Sequence, residues 1–180
     1  MGRFFSRMLG AATFNTGVYE DVEADPGATV QAGVVVALAS LAAGFGASGW
    51  NADADTVLSY AATAGLLALL AWGSWAFVTF EVGSRLLPEA TTRVSVDELV
   101  RTIGFSAAPA VFLAFGAIGN TTAVFVVVAV WLLATMVLAV RQALDYSTTA
   151  RAIAVCVVGW ALTLVFVLVL GAFFGPALSL

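Results

Sequence analysis

The chain reads as all-α: a polytopic transmembrane bundle of five helices, with a short N-terminal interfacial helix ahead of it. Three observations predict this. Of 180 residues, 62% are hydrophobic and 10% charged, with a mean hydropathy of +1.04, whereas soluble domains average about 45–50% apolar and about 25% charged. Five apolar runs approach or exceed the roughly 20 residues that cross a bilayer at 1.5 Å rise each. The seven arginines all fall in segments that a five-span topology places on one side. The expected layout is a cytoplasmic segment over residues 1–25 and one membrane domain over 26–180, with spans at about 28–50, 57–80, 102–119, 121–140 and 152–174.

At the N-terminus, Phe4, Phe5, Met8, Leu9 and Ala12 recur at helical spacing while Arg3, Ser6 and Arg7 fall mostly elsewhere on the wheel, which predicts a helix in the membrane interface. Met8 to Ala12 is too short for a signal-peptide core and acids follow at once, so no cleavage is expected. Those acids, Glu20, Asp21, Glu23 and Asp25, crowd before the first span on the side where anionic lipid repels them. With Pro26 they form either a solvated linker or a docking patch for a basic partner. Asp25-Pro26 also has the form of a helix start, a cap followed by a first-turn proline.

Asp55-Thr56 opens the second span. It ends on Glu81, a candidate intramembrane charge because it follows Trp75-Ala76-Phe77-Val78-Thr79-Phe80. Counted from Val57, however, Glu81 reaches the interface, where Arg85 is placed for an i,i+4 ion pair. Asp97 with Arg101 and Arg141 with Asp145 have the same spacing. Asp53 and Asp55 on the outer side could bind a hard cation, but two carboxylates without further oxygen ligands are a weak signal for one.

Ser95 and Glu98 form a capping box at the start of helix three. Within that helix stands Gly104-Phe105-Ser106-Ala107-Ala108-Pro109. Pro109 lacks an amide donor and clashes with the preceding turn, so a kink is expected near Phe105 to Ala108, with Ser106 satisfying a freed carbonyl. Gly104, Phe105, Ser106 and Pro109 are therefore candidates for a cleft that recognises a partner or a lipid. Gly119-Asn120 predicts a tight hairpin into helix four. Two stripes of small residues, Gly33-Ala37-Ser40-Gly44-Ser48 and Ala152-Cys156-Gly159-Thr163, predict close helix packing. Trp50, Trp72, Trp75 and Trp131 read as interface anchors or packing residues.

Arginine is retained on the cytoplasmic side, so the N-terminus is expected inside and the C-terminus outside. With no lysine and no histidine, a Schiff-base site, a His-ligated metal or haem and a Ser/His/Asp triad are excluded within this chain. The single cysteine, Cys156, rules out an intrachain disulfide and a Cys-only metal site. No catalytic, cofactor or metal-ligating residues are expected, and no basic patch points to nucleic acid.

The run Glu98-Leu99-Val100-Arg101-Thr102-Ile103-Gly104-Phe105-Ser106-Ala107-Ala108-Pro109, the Asp25-Pro26 ahead of span one and Arg151-Ala152-Ile153-Ala154 entering span five resemble the Yip family, the Ypt/Rab-interacting membrane proteins. That resemblance implies five spans with the C-terminus outside. It also implies a non-enzymatic role in interaction, scaffolding or membrane organisation, with the lipid bilayer, other membrane proteins or self-association as partners. Eukaryotic members act in vesicle traffic, bind prenylated GTPases and carry Asp-Leu-Tyr-Gly-Pro before span one. Here that region reads Val18-Tyr19-Glu20-Asp21-Val22 and then Asp25-Pro26, so GTPase binding is not carried over. The Ala-, Val- and Arg-rich style is similar to prokaryotic members, in a cytoplasmic membrane. The alternatives are an accessory subunit of a larger membrane complex and a small transporter or channel using Glu81.

Overall fold

A computed structural model describes residues 2–48, 53–90, 92–118 and 121–174, and within them every regular element is helical. In order these are α1 (Gly2–Ala12), α2 (Thr16–Ala24), α3 (Ala28–Ser48), α4 (Ala54–Glu81), α5 (Val96–Ser106), α6 (Thr121–Ala143) and α7 (Thr149–Phe174). Among the described residues, three stretches are long and apolar enough to cross a membrane: α3, the α5 segment extended to Ala117, and α6. The Gly119-Asn120 hairpin and Trp50 lie outside the described residues.

Local chemistry sets the boundaries. Phe14 takes a left-handed backbone (φ 63°), which ends α1 by letting the Phe14 and Asn15 N–H groups bond back to Ala11 and Gly10. The Asn15 side chain then caps α2 by accepting from Gly17 N–H at 3.1 Å. Asp25 acts as predicted at the next junction, its Oδ1 accepting from Gly27 N–H at 2.9 Å across the turn into α3. Both bonds of the Ser95/Glu98 capping box are present.

Helix three departs from the expected bent α-helix. α5 stops at Ser106 and the chain continues in 3-10 turns over Ala108–Ala117, with Pro109 in their first turn. The missing Pro109 N–H breaks the α ladder where the sequence predicts, but the chain tightens afterwards instead of resuming. Ten 3-10 residues rise about 5 Å more than ten α residues, so a short segment gains reach. Ser106 does bond into the break, donating to Ile103 O at 2.7 Å. Its own carbonyl accepts from Thr135 Oγ1 on α6 at 2.8 Å.

α4 also changes type, ending in a π turn over Val82–Leu86 where Leu87 N–H bonds to Val82 O. The buried Tyr146 hydroxyl stands between the Gly83 and Leu87 carbonyls, at 3.0 and 2.8 Å, and serves both. Around it Val82, Val140, Leu144, Ala152, Val155 and Cys156 form one apolar cluster. The stripe read on helix five is therefore buried at Ala152, Cys156 and Gly159.

The stripe read on α3 packs in part: Ser40 and Gly44 are buried, and Gly33, Ala37 and Ser48 are half-buried, with a Cβ on Gly33 falling 3.7 Å from the Trp72 ring. A second buried seam, on the other side of the helix, runs through Ala28, Ala32, Val35, Ala39, Ala42 and Gly46. Two glycines fix this register. A Cβ on Gly104 of α5 would stand 2.6 Å from Ala32 Cβ, and one on Gly46 would collide with the Leu113 carbonyl. Backbones can meet so closely only where a side chain is missing.

At one end of the bundle the α2, α4–α5 and α6–α7 segments meet. Arg101 donates to the Val22 and Glu23 carbonyls at 3.1 and 2.6 Å. Arg151 pairs with Glu89 and donates to Pro88 O. Thr92 Oγ1 donates to Leu144 O.

Candidate functional site

Below the break in α5 lies an apolar cavity of about 600 Å³. Its walls include Ala39 of α3, Trp72 and Trp75 of α4, Ser106 and Ala110 of the α5 segment, Met136 of α6 and Trp160 of α7, so all five long helices contribute. Its polar groups are largely spent on backbone: Ser40 Oγ donates to Val36 O, Ser106 Oγ to Ile103 O and Trp72 Nε1 to Val100 O. Trp75 Nε1 is buried without a hydrogen-bond partner. Such a space suits an apolar occupant and not water, which needs two to four polar partners.

The four helix-three candidates separate here. Only Ser106 lines the cavity. Gly104 is the contact point with Ala32 and Trp72. Phe105, fully buried, packs with Ala11, Ala12, Tyr19 and Val22 of the N-terminal pair, and Pro109 is buried at the change of helix type.

α1 and α2 form an antiparallel hairpin docked on the bundle. Arg7, only 2% exposed, is its central tie, donating to Asp21 at 2.7 Å, Asp25 at 2.8 Å and Gln31 of α3 at 3.1 Å. Arg3 takes the other Asp21 oxygen at 2.7 Å. Of the predicted acidic patch, then, Asp21 and Asp25 are neutralised within the hairpin, and Pro26 is exposed beside them in the turn. Trp131 Nε1 of α6 donates to Ala12 O at 2.8 Å, and Tyr19 OH to Ala11 O.

Glu20 faces elsewhere, into a cleft of about 450 Å³ shared with Glu23, Glu98, Arg141, Gln142 and Asp145. Burial, reinforced by Asp145 and Glu98, pushes the Glu23 carboxyl up to about 7. A carboxyl raised above its unfolded value of 4.5 binds a proton more readily in the fold, so its contribution favours folding at low pH and is lost as pH rises from 4.5 through 7. Glu23→Gln is expected to stabilise the protein at pH 8 by on the order of 2 kcal/mol and to change little at pH 4.5. Unfolding midpoints in detergent at the two pH values check this.

Glu81 and Arg85 form the predicted i,i+4 pair at 3.2 Å, both partly exposed. The other two predicted pairs are replaced. Arg101 turns to the α2 carbonyls and is 7% exposed, and Arg141 donates to Tyr146 O, Ser147 O and Thr149 Oγ1. Arg101 is taken by carbonyls at the end of α2, and near Arg141 the helix stops at Ala143, with Asp145 in a left-handed turn (φ 51°), so the helical i,i+4 spacing does not extend to it. The residues that sequence spacing does not reveal are Trp131, Tyr146 and Arg101, whose partners lie 119, 63 and 79 positions away. Among the described residues no group of three or more Cys, Asp or Glu side chains is arranged to hold a metal ion. No protein-family model, curated protein or solved structure matches this chain.

Proposed function

We propose that this protein is a five-span integral membrane protein of Yip-like type, multi-pass in a prokaryotic cytoplasmic membrane, that works as a non-enzymatic interaction or membrane-organising protein. The observation that carries the reading is the apolar cavity beneath the α5 break, a space bounded by every long helix that an acyl chain or an apolar segment of a membrane partner can enter. Two further points support the topology. α4 and α7, at 28 and 26 residues, are each long enough to add a span. Arg7 and Arg101 make contacts at the α2–α3 turn, Arg151 at the α4–α5 segment and Arg141 at the α6–α7 turn, the end that positive-inside insertion makes cytoplasmic.

The test is occupancy. Purified in mild detergent and read by native mass spectrometry, the wild type is expected to retain a lipid or membrane protein. Ala110→Phe, which fills the cavity wall from a site only 6% exposed, is expected to lose it at least tenfold while inserting and sizing normally. Equal retention by both forms would overturn the reading. A C-terminal reporter active only outside the cytoplasm checks the orientation.

A further inference from the structure

The hairpin α1–α2 runs down the side of the bundle. Its tip is held by the bond from Trp131 Nε1 to Ala12 O. Trp131 lies nine residues from Val140 and ten from Thr121, about 14 and 15 Å along a helix of 1.5 Å rise. The whole of that apolar stretch is needed to cross a core of about 30 Å, so the indole stands near its middle. A helix lying flat in the interface would sit at one level throughout. Here the other end of α1 is held near the chain turn into α3, where Arg3 meets Asp21 and Arg7 meets Asp21 and Asp25. From Arg3 to Ala12 is nine residues, or about 14 Å of helix, enough to cover the descent.

The hairpin exposes Ser6, Thr13, Asn15 and Thr16 beside its apolar residues, and much of its polar chemistry is satisfied internally, as hydrocarbon requires. At the tip the N–H groups of Thr13, Phe14 and Asn15 bond back to α1, the Thr13 hydroxyl donates to Leu9 O and Gly17 N–H donates to Asn15 Oδ1. Backbone at membrane depth requires such internal partners. The Arg7 charge has three polar partners. Phe5, Leu9 and Phe14 point away from the protein, 59%, 66% and 46% exposed, while Ala11, Ala12, Tyr19 and Val22 face the bundle.

We propose that α1–α2 is a re-entrant hairpin seated among the acyl chains of the cytoplasmic leaflet, with Phe5, Leu9 and Phe14 as its lipid-contacting residues. The proposal rests on the five-span reading and deepens it: each copy displaces lipid from one leaflet only, which is a direct means of organising a membrane.

Single cysteines at positions 9, 14, 97 and 130, in a Cys156→Ala background, carry nitroxide labels in vesicles of phosphatidylcholine and phosphatidylglycerol. Collision with a water-soluble nickel chelate is compared with collision with oxygen. Position 97 marks the exposed start of α5 and position 130, 63% exposed, the middle of α6. Positions 14 and 130 are expected to show nickel collision at least tenfold below position 97, with position 9 intermediate. Thr13→Cys, also exposed, replaces Phe14→Cys if that variant does not fold. Nickel-accessible labels at 9 and 14 with a protected 130 overturn the hairpin proposal and leave the spans intact. A nickel-accessible label at 130 overturns the spans and the proposal together.

Discussion

Arg7→Ala is expected to detach the N-terminal hairpin and lower stability by about 3 kcal/mol, the lower end of the range for breaking a buried ion pair. The lower end applies because Asp21 and Asp25 keep 40% and 31% side-chain exposure, so the carboxylates left behind are only partly desolvated. What is lost is the one group that joins α1, α2 and α3 at a single point. Adding Asp21→Asn and Asp25→Asn is expected to recover part of the loss, since the repelling charges go as well, and the triple variant separates that repulsion from loss of packing. Unfolding midpoints in detergent, with thiol labelling of a cysteine at position 19, read the two effects. Tyr19, on the bundle-facing side of α2, is fully buried, so a released hairpin labels quickly and a seated one slowly. An Arg7→Ala protein with unchanged midpoint and slow labelling would show that Trp131 and Arg101 suffice.

The second large effect is expected at Gly104. Even the Cβ of alanine would stand 2.6 Å from Ala32 Cβ and 3.1 Å from the Trp72 indole, and neither neighbour is the free end of a flexible chain. Gly104→Leu should therefore cost more than the usual overpacking loss of about 1–3 kcal/mol, separating α3 from α5 and breaking the Trp72 bond to Val100 O. Gly104→Ala is expected to be milder and to be partly rescued by Ala32→Gly. Quenching and wavelength of tryptophan fluorescence, together with the unfolding midpoint, follow the change. Failure of the rescue would mean that the indole, and not α3, sets the limit at this contact.

Much of the architecture is written in local chemistry. The Ser95/Glu98 box, the Asp25 turn, the break before Pro109 and the Glu81–Arg85 pair each involve residues within a few positions of one another, and each stands where the spacing predicts. The helix type after Pro109 is not local in this sense, because Thr135 supplies the Ser106 carbonyl's partner from another helix. The buried seam of α3 escapes sequence reading for a different reason. In lipid both sides of a spanning helix are apolar, so periodicity cannot separate Gly33-Ala37-Gly44 from Ala32-Ala39-Gly46. Only the opposing surfaces show what each side meets: Trp72 lies off Gly33, whereas Gly104 lies against Ala32 and Leu113 against Gly46. Of the cleft residues read from the kink only Ser106 lines the cavity, because its other walls come from helices that have no sequence relation to one another.

The anchors of the N-terminal hairpin also impose an order of events during synthesis. Arg101 is made 79 residues after Val22, and Trp131 is made 119 residues after Ala12. At about 5–20 residues per second, the α1–α2 segment waits on the order of 6–24 s for its second anchor. Through that interval Tyr19, Val22 and the inner side of α1 lack the surfaces they cover in the finished protein. The hairpin is thus seated only after segments made well behind it, and its seating reports that α5 and α6 are both in place.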